Sequence, residues 1–155
     1  TRVHYWPKNE RRHKNPNWPI HTHAYVLDSL VLEGRVRDIQ YRQGEGSEYT
    51  IYSVSYSDQN STIDRTDQHI SIEYLVDDVR ESGEEYSVPI GTFHQTLVPI
   101  NESAITLVVI SRFGSVNPLV LGAAENESYP YDRVEYDKLV FWNRVRRAIK
   151  IFRTD

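Results

Sequence analysis

The chain has no cysteine and no methionine among its 155 residues. The lack of cysteine excludes disulfide bonds, thiolate metal ligands and cysteine nucleophiles, so a metal site has to use nitrogen and oxygen ligands. Methionine is missing even at position 1, and we therefore expect that the chain begins after processing or is a piece of a longer protein. No apolar run approaches the length of a transmembrane helix, and the first residues show no signal-peptide pattern. We expect a cytoplasmic protein without a membrane partner.

The chain has the composition of an ordinary single globular domain. It is 39% hydrophobic and 26% charged, and its net charge of -4 is mild. Such a charge does not indicate a nucleic acid partner. The eleven tyrosines favour strands and can line a pocket while keeping a polar tip.

Short segments with a period of two predict an all-β sandwich or barrel. Residues Tyr49–Tyr56 alternate between two faces, and Ala104–Arg112 is β-branched and apolar, as in a central strand. Further strands are predicted over His23–Arg37 with a turn or bulge at Gly34, over Gln68–Val76 and over Tyr86–Pro89. Turns are predicted over Ser57–Asn60 and Asp77–Gly83, and a long loop with short extended pieces over Gly114–Tyr131.

The two ends of the chain differ from this central part. Residues 1–19 mix Pro, Trp, Asn and basic residues without a period, and we interpret them as an irregular arm that docks Trp6 and Trp18 on the body. Residues 20–131 form that body, and residues 132–155 contain an amphipathic helix over Asp137–Phe152. Its apolar stripe consists of Phe141, Trp142, Val145, Ala148, Ile149 and Phe152, and its other face carries Arg144, Arg146, Arg147, Lys150 and Arg153.

Three histidines and one aspartate have a spacing that suits one divalent metal ion. His21 and His23 are two positions apart, so a strand presents both imidazoles on one face. His94 follows Pro89 and Gly91, which favour a tight turn that presents His94 at the start of the next strand. Asp28 can add a carboxylate if a bulge turns it toward the metal. Nitrogen and oxygen ligands with open positions suit Fe2+, Mn2+, Ni2+ or Zn2+.

These residues resemble the two signature motifs of the cupin superfamily. The second motif runs from Gly83 through Pro89 and Gly91 to His94, and only Val98 departs from it, where the family usually has Asn. The first motif matches at His21 and His23, has Asp28 where Glu is usual, has one residue fewer before Gly34, and has Asn15 in place of its upstream Gly. The resemblance covers about residues 15 to 112 and implies a cupin-like double-stranded β-barrel, or jelly roll.

The resemblance implies a metal-dependent enzyme that acts on a small molecule. A dioxygenase-type oxidoreductase is the first expectation, and a metal-dependent isomerase or hydrolase is the second. A ligand-binding or sensor domain without chemistry, an interaction domain with a vestigial site, and a homodimer all stay open. Candidates for proton donors or substrate contacts are Tyr25, Tyr41, Tyr52 and Tyr86, with Arg112 as a partner for a substrate carboxylate. We interpret His4, His13 and His69 as solvent-exposed.

Overall fold

The computed structural model describes residues 1–10, 16–56, 61–123, 128–130 and 137–152. Within these ranges it contains nine strands and one helix. In chain order they are β1 (Arg2–Trp6), β2 (Tyr25–Glu33), β3 (Arg35–Tyr56), β4 (Ser61–Glu81), β5 (Glu85–Val88), β6 (Phe93–Leu97), β7 (Ala104–Phe113), β8 (Leu119–Gly122), β9 (Ser128–Pro130) and α1 (Lys138–Phe152). The predicted all-β class with a C-terminal helix is confirmed.

The strands form two antiparallel sheets. The first has the order β1-β7-β2-β5, and the second has the order β6-β3-β4-β9, with β8 also paired to β3. Val31 and Val108 of the first sheet pack with Val36 of the second in one cluster of buried side chains. Since successive side chains of a strand point to opposite faces, the same strands also present residues outward. The main core therefore lies between the sheets, and a second apolar face remains on the outside of the first sheet.

Helix α1 covers this outer face. Ala148 packs in one cluster with Leu32 and Ile105, and both Val145 and Ala148 are buried. Asp137 precedes the first turn, and its Oδ1 accepts a hydrogen bond from the backbone N–H of Val140 at 2.8 Å, which makes it the N-cap. The predicted stripe thus docks through its centre, although Trp142 stays 48% exposed. Arg153, expected on the basic face, lies outside the described residues.

One glycine allows the sharp connection between β2 and β3. Gly34 has φ of 75°, and a Cβ at this position would lie 2.2 Å from the carbonyl oxygen of Ser103. Both the backbone conformation and the close approach require a residue without a side chain. The turn predicted at Gly34 is confirmed.

Strands β3 and β4 pair along almost their whole lengths, which corrects the prediction of a charged turn over Asp77–Gly83. Residues Asp77 to Glu81 continue β4, and the chain reverses only at Ser82 and Gly83. The acidic residues are accommodated because basic ones lie beside them: the guanidinium of Arg37 donates two hydrogen bonds of 2.6 Å to the carboxylate of Asp77. The turn predicted over residues 57–60 lies outside the described residues.

The first residues of the chain are not an irregular arm. Residues Arg2 to Trp6 form β1, which pairs with β7 at the edge of the first sheet. Val3 and Tyr5 pack toward the outer cluster under α1, whereas His4 and Trp6 face the interior. Five residues are too few for this alternation to stand out in the sequence. Trp6 and Trp18 do pack on the body, as predicted.

The described residues contain no helix that combines the length and the apolar character needed to cross a membrane.

Candidate metal centre

The segment that carries His21 and His23 lies between two strands of the second sheet. The backbone N–H of His21 donates to the carbonyl of His94 at 3.1 Å, and the N–H of His94 donates to the carbonyl of His21 at 2.9 Å. On its other side His21 forms a bridge with Val120 of β8. Backbone pairing therefore joins two histidines that are far apart in sequence.

The turn before β6 places His94 as predicted. The N–H of Thr92 donates to the carbonyl of Pro89 at 3.2 Å, and Gly91 has φ of 72°. Gly91 also donates its N–H to the carbonyl of His23 at 3.0 Å, which ties the turn to the histidine segment. Phe93, the neighbour of His94, is buried in a separate apolar cluster on the opposite face.

The three imidazoles form a compact triangle. Their ring centroids are 4.8 Å apart for His21 and His23, 4.7 Å for His21 and His94, and 4.9 Å for His23 and His94. One ring nitrogen from each lies within 4.8 Å of the others. Nitrogens at about 2.0–2.1 Å from one ion are roughly 3.0–3.5 Å apart, so the imidazoles would have to turn toward one another to bind one ion. The three residues can bind a metal ion together.

His94 is the most informative member of the triangle. It is only 4% exposed, and neither Nδ1 nor Nε2 has a hydrogen-bond partner among the described residues. A buried polar group without a partner is unfavourable by about 1–3 kcal/mol. A metal ion bound at one nitrogen would supply the missing interaction.

His21 is oriented by the backbone. Its Nδ1 lies 2.8 Å from the carbonyl oxygen of Pro19, so the proton belongs on Nδ1 and the lone pair on Nε2. Metal-binding histidines commonly donate their second ring N–H in this way.

Burial favours the neutral form of His23 and His94. Burial, with a contribution from His21, lowers the pKa of His23 to about 3, and burial holds the pKa of His94 well below its ordinary value. A neutral imidazole has the lone pair that a metal needs, so His23 and His94 could bind an ion without loss of a proton.

A cavity of about 490 Å³ opens beside the triangle. Its described lining comes from both sheets and contains the three histidines together with Arg2, His4, Trp6, Trp18, Tyr25 and Tyr86. A volume in this range suits a small molecule. The three histidines and a space large enough for a small molecule are therefore adjacent.

Of the predicted catalytic tyrosines, Tyr25 lies closest to the metal ligands. Its ring stacks on His23 at 4.7 Å with an interplanar angle of 15°, and its hydroxyl accepts a hydrogen bond of 3.1 Å from Arg2. Tyr86 also lines the cavity; its hydroxyl is 3.5 Å from that of Thr96, and burial raises its pKa.

Tyr52 and Tyr41 lie elsewhere. Tyr52 is fully buried, packs against Trp18 at 4.8 Å and bonds to the carbonyl of Ala123 at 3.3 Å. Tyr41 packs in another apolar cluster and accepts a hydrogen bond from Gln95. Neither belongs to the described cavity lining, so the prediction of Tyr52 as a catalytic residue is corrected to a core role.

Asp28 is not brought to the histidines. Its carboxylate accepts hydrogen bonds from Ser87 at 2.7 Å and from Ser111 at 3.4 Å. Leu27 lines the cavity, and Asp28 as the next residue points to the opposite face of β2. The expectation that Asp28 is a metal ligand is corrected, because the described pairing of β2 places no extra residue between Tyr25 and Asp28 that would turn the carboxylate inward.

Arg112 is also remote from the cavity lining. The register of β2 with β7 moves from Tyr25 opposite Phe113 to Val26 opposite Ser111, so Arg112 is the extra residue of a bulge. It has φ of 45° and is exposed. The predicted role for Arg112 in binding a substrate carboxylate is therefore corrected to a structural position in this bulge.

Two site residues were missed in the sequence. Arg2 and His4 of β1 line the cavity, and burial lowers the pKa of His4 to about 4, which corrects its interpretation as solvent-exposed. Arg2, His4 and Trp6 alternate along β1, but the strand is too short for this alternation to be recognised in the sequence. His69 is exposed as predicted, whereas His13 and Asn15 lie outside the described residues.

In comparisons with known proteins, the chain matches no family model, no curated protein and no solved structure.

Proposed function

We propose that the protein is a metal-dependent enzyme of the cupin type that acts on a small molecule in its interior cavity. The observation that carries the proposal is the triangle of His21, His23 and His94, in which His94 is buried and both its ring nitrogens are unpartnered among the described residues. The turn at Pro89 and Gly91 supports the cupin assignment, because it presents His94 as the second cupin motif does.

The three histidines would hold one divalent ion through one nitrogen each. Such an ion would supply Lewis acidity beside the cavity. Dioxygenase-type chemistry with iron is our first proposal, and non-oxidative isomerisation or hydrolysis is the second.

The residues of the chain then have separate tasks. His21 stays oriented by its bond to Pro19. Tyr25 accepts the hydrogen bond from Arg2, so its own O–H remains available to donate to a substrate oxygen. Leu27, Val108 and Ile110 contribute apolar side chains to the cavity wall.

The test is metal analysis of the purified chain by plasma mass spectrometry, before and after reconstitution with Fe2+, Mn2+, Ni2+ and Zn2+. We expect about one equivalent in the wild type, and little in His94→Ala, since two imidazoles bind an ion weakly. His69→Ala is the matched control, because His69 is exposed and outside the triangle.

The outcomes separate the candidate functions. Bound iron leads to measurements of oxygen consumption, whereas zinc or nickel favours non-oxidative chemistry. If no ion binds after reconstitution, or His94→Ala keeps the metal, the enzyme proposal fails. The cavity would then favour a ligand-binding or sensor domain.

A further inference from the structure

Among the described residues that line the cavity, the side chain with a permanent charge is the guanidinium of Arg2. The described lining also contains four histidines, but no aspartate and no glutamate. The proposed ligands are neutral imidazoles, so they leave the charge of a divalent ion uncompensated. Asp28, the carboxylate that could have reduced this charge, bonds instead to Ser87 and Ser111. An anionic ligand would complete the charge balance of the cavity.

Arg2 is placed to bind such an anion. One of its N–H groups donates to the hydroxyl of Tyr25, and its guanidinium carbon lies 5.6 Å from the centroid of that ring. Its other N–H groups make no hydrogen bond within the described residues. A guanidinium offers a planar fork of donors that matches a carboxylate.

Arg2 and the metal ligands face the same space. Both line the one described cavity, and Tyr25 contacts each of them: its hydroxyl accepts a hydrogen bond from Arg2, and its ring stacks on His23. The positive charge of Arg2 contributes to the lowered pKa of His23, which agrees with this proximity. A ligand in this cavity can therefore lie against Arg2 and against the three histidines that would hold the metal.

The cavity walls favour a flat ligand. The described lining includes the aromatic side chains of Trp6, Trp18, Tyr25 and Tyr56 together with aliphatic ones. Flat aromatic surfaces bind planar groups by offset stacking or edge-to-face contact.

We propose that the substrate of this centre is a small planar carboxylate, an aromatic or conjugated acid, whose carboxylate binds Arg2 while a neighbouring oxygen faces the three histidines. This inference rests on the proposed function, because it assumes the metal at His21, His23 and His94. It adds the chemical class of the substrate and a specificity residue outside the metal ligands.

The test compares ligands of matched shape with the metal-loaded protein. Salicylate and benzoate are titrated against salicylamide and benzamide, with tryptophan fluorescence or calorimetry as the readout. We expect the carboxylates to bind on the order of tenfold or more tightly than the amides. Cyclohexanecarboxylate, which is not planar, should bind more weakly than benzoate.

The variant Arg2→Gln separates the contribution of Arg2 from that of the metal. It should retain the metal, and it should weaken carboxylate binding by roughly ten- to a hundredfold with little effect on amide binding. Arg2→Lys keeps the charge, and its carboxylate affinity should lie between those of the wild type and Arg2→Gln. Arg42→Gln is the control, because Arg42 is exposed on the surface and pairs with Glu73.

Failure of the inference is distinct from failure of the metal site. A metal-loaded protein that binds amides as tightly as carboxylates overturns the inference alone. Carboxylate selectivity that is unchanged in Arg2→Gln also overturns it, because the metal would then be the sole determinant. A protein that takes up no metal refutes the proposed function, and it does so independently of these titrations.

Discussion

Replacement of His94 by leucine should make the metal-free protein more stable and remove its response to metal. His94 is 4% exposed, and both of its ring nitrogens lack a hydrogen-bond partner within the described part of the chain. Leucine has a similar volume and no polar atom. Since a buried unpaired polar group is unfavourable by about 1–3 kcal/mol, we expect His94→Leu to raise the free energy of unfolding by about 2 kcal/mol. This corresponds to roughly 4–8 °C in the midpoint of thermal unfolding for a chain of this size.

Bound metal should reverse the order of stability of the wild type and His94→Leu. An ion that binds only the folded wild type stabilises it by about 2.7 kcal/mol at a concentration one hundred times its Kd. His94→Leu retains only His21 and His23 and should gain little. The wild type should therefore be the less stable protein in chelator and the more stable one in saturating metal.

Thermal and urea unfolding of both proteins, in chelator and in metal, measure this reversal. Circular dichroism before unfolding establishes that each variant is folded. His69→Leu removes an exposed imidazole and should leave the free energy of unfolding unchanged, both in chelator and in metal. If the folded His94→Leu protein is less stable than the wild type in chelator, the argument from the unpaired nitrogens is refuted.

Three further changes test the fold. Gly34→Ala should destabilise the protein by at least about 2 kcal/mol, because the backbone has positive φ and the new Cβ would overlap the carbonyl of Ser103; urea unfolding measures the loss. Asp137→Ala should remove the cap that accepts the N–H of Val140 and cost about 1 kcal/mol, measured as lost helicity and a lower unfolding midpoint. Burial raises the pKa of Asp38, so its contribution to stability is present below the unfolded value of about 3.9 and is lost as the pH rises through the folded value. Asp38→Asn should therefore become more stable relative to the wild type as the pH rises from about 4 to about 7, in urea titrations.

Each of these has its own control. Gly83 has φ of 92°, and a Cβ added there would meet no described atom within 4 Å, so Gly83→Ala reports the backbone strain without the overlap. Equal losses at the two glycines would contradict the close-contact argument at Gly34. Asp137→Asn keeps an N-cap acceptor and should retain most of the stability. A difference between Asp38→Asn and the wild type that does not change with pH would contradict the raised pKa of Asp38.

The sequence was sufficient to predict the elements whose formation depends on residues close together in the chain. The β-branched run became β7, the apolar stripe became α1, and the turn at Pro89 and Gly91 presents His94, because each depends on periodicity or on backbone conformations favoured within a few residues. The spacing of His21 and His23 also predicted their shared site. The cupin assignment and the chemistry stay predictions.

The differences between the sequence predictions and the structure come from pairing between strands that are far apart in the chain. Alternate residues of a strand point to opposite faces of the sheet, so a shift of one residue decides whether the side chain of Asp28 reaches the cavity. The pairing of β2 with β5 and β7 places Asp28 on the face away from the cavity. The five residues of β1 are too short to show a period, and only pairing with β7 brings Arg2 and His4 to the cavity.

The sequence by itself determined the all-β class, the C-terminal helix, the absence of thiolate ligands and the three histidines that can share a metal, because composition, periodicity and turn-forming residues act over short distances. Only the tertiary structure decided that His94 is buried without hydrogen-bond partners among the described residues, that no carboxylate belongs to the described cavity lining, and that Arg2 lines the same cavity as the three histidines. Those properties depend on which distant strands pair and in which register, and a short sequence pattern does not specify either.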